Sequence, residues 1–293
     1  MKGCPLPEQS ALSSFNDRVI NLLATGLIRG LKLLPYRARM NTASWVLRKI
    51  LAPLVNYRRR ARNNLAMIYP DMPEAERNRI ADGAIDNAAR TILENYSGDE
   101  FRRHISGSEI SGPGLEAIKQ AAADGRPVVV ISGHFANYEA FRSIMLEHGV
   151  KIGGLYRPMR NPFFNKHYVE TLTFSGEMFS QGSQSGQFFR FLKKGNVGIL
   201  LVDVAVHQAD LIPFLGREAA TSTAAAEAVL RFDGLLVPFF PIRQDDRTTF
   251  KIEVDAPIAH SDPLTMTREV TQALEARIER HPDQWFWVHK RWK

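Results

Sequence analysis

The sequence predicts an α/β fold in which a mostly parallel central sheet is wrapped by helices and preceded by a helical region. Residues 128–131 and 197–202 are runs of mainly β-branched and aliphatic side chains, typical of strands buried on both faces. Helical patterns separate such runs along the chain, and this alternation is typical of a parallel sheet with covering helices. Before about residue 100 the pattern is only helical. We therefore divide the chain into a helical region at 1–100 and an α/β domain at 101–293.

Positive charge is concentrated at the amino-terminal end. The 293 residues carry a net charge of +7, whereas residues 1–65 contain 12 Lys or Arg and two acidic residues, a net +10. The rest of the chain therefore carries −3. A basic front on a nearly neutral body indicates a surface that faces membrane headgroups or nucleic acid. The single cysteine, Cys4, excludes an internal disulfide and a Cys-cluster metal site, and we interpret it as an inert residue of the tail.

The first helix is expected between residues 15 and 34. Apolar side chains recur there at helical spacing, with a basic flank that includes Arg18 and Arg29. The longest uncharged run, 19–28, is far shorter than the roughly 20 residues of a membrane span, and no cleavage site of a signal peptide follows. We predict a helix in the bilayer interface, or one packed on the body with its basic edge towards lipid, and we therefore expect the helical region at 1–100 to be membrane-associating. An ordinary surface helix is the alternative.

Two more helical segments complete the front of the chain. An apolar and basic segment at 45–54 stops near Pro53 and is followed by a basic run at 58–62. Pro73, with acidic residues behind it, is typical of position N1 of a helix, which is expected to run to about Tyr96. The basic run could bind nucleic acid, but no recognised nucleic-acid module accompanies it.

The elements of the α/β domain follow from residue 125 onwards. The strand at 128–131 leads to a helix that ends near His148, and the strand at 197–202 ends at Asp203. Domains of this kind present their functional groups at the carboxyl ends of buried parallel strands. The remaining predicted elements are a small-residue helix at 219–232, strands at 235–240 and 250–254, and a helix at 263–280 before an aromatic and basic tail.

His134 and Glu139 are the candidate catalytic pair. His134 follows the first buried strand and Gly133, which permits a tight exit, and Glu139 lies about one helical turn further on. A carboxylate there can hold the far imidazole nitrogen, fix the tautomer and raise the basicity of the ring. The sequence therefore predicts a general base, His134, with Glu139 as its partner. A core histidine without function is the alternative.

The stretch 132–139 resembles the His-x4-Asp/Glu motif of the lysophospholipid acyltransferase superfamily. Further stretches are similar, in order and spacing, to the bacterial late acyltransferases of lipid A biosynthesis, the lauroyl and myristoyl acyltransferases. They are Asn64-Leu65 with Tyr69-Pro70, Tyr156-Arg157-Pro158 with Asn161-Pro162, Lys193-Lys194-Gly195, residues 213–216, 220–223 and 237–239, and the ending 282–292. The resemblance covers most of residues 15–293.

The resemblance implies a glycerol-3-phosphate acyltransferase-like fold and direct acyl transfer. An acyl carrier protein would supply the acyl chain as a thioester to a hydroxyl of a lipid A precursor, which His134, oriented by Glu139, would deprotonate. Arg157 is the candidate oxyanion donor or phosphate ligand, with a structural ion pair as its alternative. No cofactor and no metal are implied. The substrate-binding residues implied by the resemblance are Arg157, Asp203, Asn137 and Tyr156. Asp203 would either contact the acceptor or lie behind the residues that do.

The same resemblance implies a location on the cytoplasmic face of the bacterial inner membrane, peripheral or held by a weak single anchor. Two segments depart from the family pattern. Residues 15–34 are less hydrophobic than the usual anchor, and residues 204–210 lack the Gly-rich acidic pattern of typical members. The second departure weakens the expectation about the identity of the acceptor more than the expectation about the acyl-transfer chemistry.

No other pattern in the sequence supports a different kind of catalytic chemistry. Asp203, His207 and Asp210 could be metal ligands, but no further well-spaced cluster supports a metal. The stretch 182–186 has Gln184 where a nucleophile elbow requires serine. The tryptophans of the tail suit either an interfacial anchor or packing against the sheet.

Two other functions stay open. The acceptor could be a lysophospholipid or another glycolipid, or the protein could be a non-catalytic, membrane-binding relative. A binding role would not need the intact pair of His134 and Glu139, and this argues against the second alternative.

Overall fold

The helical front is the first part of the chain described by the computed structural model, which covers residues 11–206 and 209–292. Cys4 and His207, with the interpretations given for them, lie outside the described residues. The helices of the front are α1 (Ala11–Lys32), α2 (Tyr36–Val46), a π-helical turn (Leu47–Leu51), α3 (Ala52–Leu54), α4 (Tyr57–Ile68), α5 (Glu74–Ser97) and α6 (Asp99–Ile105).

The helix boundaries follow the proline signals closely. Pro35 is the N-cap of α2 and separates it from α1. Pro73 is the N-cap of α5, one position before the predicted N1, and Glu74 and Glu76 lie in the first turn as expected. The corner between α1 and α2 is held by Arg39, whose buried guanidinium donates to Ser97, Glu100 and the carbonyls of Lys32 and Leu34.

The remaining elements form the α/β domain. They are β1 (Ile110–Ser111), α7 (Gly114–Ala123), β2 (Val128–Ser132), α8 (Tyr138–Glu147), β3 (Ile152–Tyr156), α9 (Pro162–Leu172), β4 (Met178–Ser180), α10 (Ser185–Lys193), β5 (Val197–Leu201), β6 (Asp210–Phe214), β7 (Arg217–Thr221), α11 (Ala224–Phe232), β8 (Leu235–Arg243), β9 (Phe250–Val254) and α12 (Pro263–Arg280). Short 3-10 turns lie at Thr173–Ser175 and Pro282–Gln284.

Seven strands form the central sheet in the order β1-β9-β8-β2-β5-β3-β4. Every neighbouring pair is parallel except β8 with β9, which is antiparallel. All five residues of β2 are buried, as its β-branched run predicts. The predicted α/β class and the mostly parallel sheet are therefore confirmed. No helix within residues 11–206 and 209–292 is long and apolar enough to cross a membrane.

The helix predicted at 219–232 is wrong in its first part. Residues 217–221 form β7, which pairs antiparallel with β6 as a separate hairpin, and the helix begins only at Ala224. Leu215 and Gly216 turn the hairpin with positive φ angles of 51° and 77°, a conformation typical of tight hairpins. The high helix propensity of Ala219 and Ala220 is overridden because their backbones pair with β6.

Candidate active site

The carboxyl ends of β2 and β5 lie side by side, and this brings His134 against Asp203. His134 Nδ1 lies 2.9 Å from Asp203 Oδ1, and the backbone N–H of His134 donates to Asp203 Oδ2 at 2.6 Å. Only glycine fits between strand and histidine, since a Cβ on Gly133 would lie 2.9 Å from Asp203 Oδ2 and 2.7 Å from Leu274. The imidazole of His134 keeps 31% of its side-chain surface exposed. A partly accessible imidazole on a buried carboxylate is therefore the centre of this site.

Asp203 is held as a buried anion. Its side chain has no exposed surface, and Trp285 Nε1 donates a third hydrogen bond to Oδ2 at 2.8 Å. Burial alone would raise the pKa of Asp203, but attraction to His134 and the hydrogen bonds from its ring and backbone hold that pKa well below the ordinary value. An ionised carboxylate only accepts hydrogen bonds, so His134 Nδ1 carries the proton and Nε2 is left as the basic nitrogen.

The carboxyl-terminal tail completes this site. The backbone N–H of Ala136 donates to Gln284, that of Phe286 donates to His134, and Phe135 forms an isolated antiparallel bridge with Trp285. Trp285 is fully buried. Of the two interpretations of the tail tryptophans, packing against the domain is confirmed for Trp285, which also orients Asp203.

Glu139 lies in the first turn of α8 but points into the core. Its Oε2 accepts from Arg142 Nη1 at 2.7 Å and from Ser175 Oγ at 3.2 Å. The structure thus corrects the predicted contact: the carboxylate bonded to the far nitrogen of His134 is Asp203, because α8 begins at Tyr138 and turns Glu139 inward. A catalytic contribution of Glu139 stays a prediction.

Replacing Glu139 by alanine is expected to lower the free energy of unfolding by about 3–5 kcal/mol, because it leaves a fully buried guanidinium without its carboxylate. Arg142 would keep only hydrogen bonds to the carbonyls of Ile152 and Leu172. Urea denaturation measures the change. Glu116→Ala is the matched control, since it removes an exposed ion pair of the same spacing and should change the free energy by no more than about 0.5 kcal/mol. Equal effects of the two variants would contradict the buried ion pair.

Comparison with known proteins decides the family. Residues 7–293 match the sequence profile of the bacterial lipid A biosynthesis acyltransferases. The chain belongs to this family. A lipid A biosynthesis acyltransferase of Haemophilus influenzae is 24% identical over 239 residues, covering 79% of this chain and 74% of that protein. The lipid A biosynthesis lauroyltransferase of Escherichia coli (strain K12) is 27% identical over 244 residues, or 78% and 77% of the two chains.

These similarities do not show which acyl chain the protein transfers. The lipid A biosynthesis myristoyltransferase of Escherichia coli (strain K12) is 24% identical over 248 residues, covering 80% of this chain and 74% of that protein. This identity is close to that of the lauroyltransferase, although the two proteins are named for different acyl chains. Similarity at this level therefore shows the acyltransferase family and leaves the length of the acyl group open.

Two of the predicted substrate-binding residues of this lipid A acyltransferase family member lie at the same edge of the sheet as His134. Tyr156 ends β3 and is half-buried, and Arg157 follows it and is exposed. The strand order β2-β5-β3 separates β3 from β2 by two strand spacings, about 10 Å. Among the described residues Arg157 has no ion-pair partner, so its guanidinium is available to an anion.

Asn137 is not accessible in this structure. Its Oδ1 caps α8 by accepting from the backbone N–H of Glu139, and its Nδ2 donates to Glu94 and Asn95 at 3.0 and 3.1 Å. These contacts fasten the loop after His134 to α5. The side chain is fully buried, so its contacts support a role in positioning the loop, and its predicted contact with substrate stays a prediction.

Trp285 and His289 were not assigned to the site from the sequence. Each lies in the tail, more than 140 residues after His134, and the only signal was the similarity of 282–292 to the family's ending.

His134, Asp203 and His289 place potential metal-ligating atoms within 4.8 Å of one another. Because His134 and Asp203 already bond to each other, a cation would have to separate them. The expectation of a site without metal stays a prediction.

Proposed function

We propose that this protein transfers a fatty acyl chain from an acyl carrier protein thioester to a hydroxyl of a lipid A precursor. The observation that carries the proposal is the bond between His134 Nδ1 and the buried Asp203 carboxylate, which leaves a basic Nε2 on an accessible ring. Acyl transfer to an alcohol requires such a base, because the hydroxyl is a weak nucleophile until its proton is removed. Membership of the acyltransferase family supports the reaction class.

His134 Nε2 removes the proton of the acceptor hydroxyl while the oxygen attacks the thioester carbonyl carbon. The carbonyl electrons move onto oxygen, and the tetrahedral oxyanion then collapses and expels the carrier thiolate. The thiolate takes the proton from His134, so the products are an ester and a free carrier thiol, and the base is restored. Asp203 stabilises the imidazolium that forms in between and keeps its orientation. No acyl-enzyme intermediate is required.

Arg157 is proposed to bind an anion on the substrate side of this edge. Its exposed guanidinium suits either the oxyanion of the tetrahedral intermediate or a phosphate of the acceptor. Tyr156, half-buried beside it, is proposed to contact the same ligand. Asp203 has no exposed surface, so of its two expected roles we propose the one behind the contacting residues, orientation of His134, and not contact with the acceptor.

The proposal is tested by incubating the purified protein with radiolabelled acyl carrier thioesters and, separately, a lipid A precursor, a lysophospholipid and a second glycolipid. Label in the lipid A precursor alone is the expected result. Transfer to another acceptor would agree with the proposed reaction class but would contradict the proposed acceptor, the lipid A precursor. A protein that binds membranes but transfers to none of them would be the non-catalytic relative.

The surface proposed to face the membrane is formed by α1 and by the turn between α2 and α4. Asn161, the N-cap of α9, contacts the carbonyl of Asp17 in α1, and His167 within α9 contacts the side chain of Asn21. Large apolar residues are exposed along α1 and in the turn after it, and a second group is exposed near the π-helical turn. They are Phe15, Val19, Ile20, Leu22, Leu23, Leu27, Leu33 and Leu34, and Trp45, Ile50, Leu51, Leu54 and Val55. Apolar patches with basic neighbours are typical of interfacial binding, here to the cytoplasmic face of the inner membrane.

Association with anionic membranes is expected to be peripheral and salt-sensitive. Lys32 and Lys49 are exposed beside this surface, and each lysine near an anionic membrane contributes about 1 kcal/mol at low ionic strength. Replacing both by glutamine should therefore weaken binding to anionic vesicles roughly 30-fold, measured by co-sedimentation. High salt should have a similar effect on the wild-type protein.

The matched control for this test is the double substitution of Lys193 and Lys194 by glutamine. Both are exposed and lie at the amino end of β5, the edge of the sheet opposite His134. It removes the same charge and should leave binding unchanged. Wild-type protein that stays on membranes in high salt and carbonate would mean that the attachment is integral.

A further inference from the structure

A second imidazole lies against the His134 ring. The ring centroids of His134 and His289 are 4.4 Å apart with an interplanar angle of 72°, an edge-to-face contact. Nε2 of His289 is buried and has no hydrogen-bond partner among the described residues. Among the described residues no hydrogen bond to Nε2 holds this ring, so its position is set by packing and by the backbone.

The position of His289 is fixed from three sides. Asn64 Nδ2 in α4 donates to the carbonyls of Trp287 and His289, both at 2.7 Å. The backbone N–H of His289 donates to the carbonyl of Phe286 at 3.1 Å, which closes a tight turn. The Phe286 ring packs edge-to-face on the His289 ring at 4.9 Å. The His289 ring is thus held between Phe286 and His134.

The charge state of His289 also suits a neutral neighbour of the base. Burial and the nearby His134 lower the pKa of His289 to about 3, so its ring is neutral at physiological pH. Asp203 acts in the opposite direction, and Arg291 and Arg60 add to the lowering. Tyr138 in α8 faces the His134 ring from another side, 6.1 Å away. His289 therefore adds no charge beside His134 and does not compete with it for a proton.

We propose that His289 is a positioning residue for His134. The ring of His289 shields the hydrogen bond between His134 and Asp203 from water and fixes the plane of the His134 imidazole. This inference rests on the proposed role of His134 as the base. A hydrogen bond kept away from water is stronger and exchanges its proton more slowly. A ring that cannot tilt keeps Nε2 aimed at the acceptor hydroxyl.

The shielding is measured without substrate. In the full-length chain labelled with ¹⁵N-histidine, NMR follows the exchange with water of the Nδ1 proton of His134. His289→Ala is expected to speed this exchange by about tenfold or more, since water enters beside the bond, while His289→Phe keeps a ring there and preserves the slow exchange. His148→Ala is the matched control, because His148 is exposed at the end of α8.

The positioning is measured in the transfer assay. His289→Ala should lower kcat roughly ten- to hundredfold and leave KM for the carrier thioester unchanged, and His289→Phe should restore most of kcat. His289→Gln, which is polar but has no ring, should behave like His289→Ala in both measurements and replaces it if the alanine variant does not fold. The proposal would be overturned if His289→Phe lost as much shielding as His289→Ala or His289→Gln. Wild-type exchange and kcat in folded His289→Ala or His289→Gln would do the same. Wild-type protein that transfers no acyl chain would refute the proposed function instead, and the NMR result would still decide whether the ring shields the bond.

Discussion

His134→Ala is expected to reduce acyl transfer to a low residual rate while leaving the fold intact. Removing a positioned general base typically lowers the rate by about 10²–10⁴-fold. The fold should survive because Asp203 keeps two of its three hydrogen bonds, from the backbone N–H at position 134 and from Trp285. The measurements are transfer from a radiolabelled carrier thioester and circular dichroism of the same preparation.

His148→Ala is the control for this substitution, since it removes an exposed histidine. It should keep both turnover and fold. Near-normal turnover in folded His134→Ala would refute the role of His134 as the general base. No other exposed imidazole in the described residues bonds to a buried carboxylate and could replace it.

The main architecture was predictable from the sequence because buried parallel strands have a strong local signal. The runs that became β2 and β5 are apolar on both faces, and β9 begins and ends at the predicted residues, 250 and 254. Shorter strands such as β1 and β4, with two and three residues, have no comparable pattern. The hairpin of β6 and β7 was missed because distant contacts hold it. Arg291 bonds to Ala220 and Thr221, and Glu275 accepts from the backbone N–H of Leu215.

The position of His134 after a buried strand could be predicted, but the carboxylate that contacts it could not. His134 follows a buried strand and a glycine, and both signals lie within seven residues. Asp203 is 69 residues away and becomes the partner only because β5 pairs with β2. Glu139 was close in sequence, but helix geometry directs it to Arg142. Proximity along the chain therefore suggested the wrong contact, while strand order determined the observed one.

Asp203→Asn is expected to lower turnover by about 10²–10⁴-fold with little change in fold, because the substitution keeps the shape of the side chain and removes its charge. An amide Nδ2 facing His134 would make Nδ1 the acceptor and leave the proton on Nε2, so the ring could not accept the proton of the hydroxyl. Asp210→Asn, the same substitution at an exposed residue, should keep wild-type turnover. The measurement is kcat in the carrier thioester assay, with ¹⁵N shifts of His134 reporting the tautomer.

The double variant with His134→Ala and Asp203→Asn tests which carboxylate, Asp203 or Glu139, acts through His134. If Asp203 acts only through His134, the double variant is scarcely slower than His134→Ala alone, because residues that act as a unit are not additive. Glu139→Gln should lower stability, since it replaces a buried ionic bond to Arg142 by a neutral one, and its effect on turnover should be additive with His134→Ala or absent. The reverse pattern would mean that Glu139 is the working partner in the complex with substrate. It would require Asp203→Asn to retain activity and Glu139→Gln to be non-additive with His134→Ala.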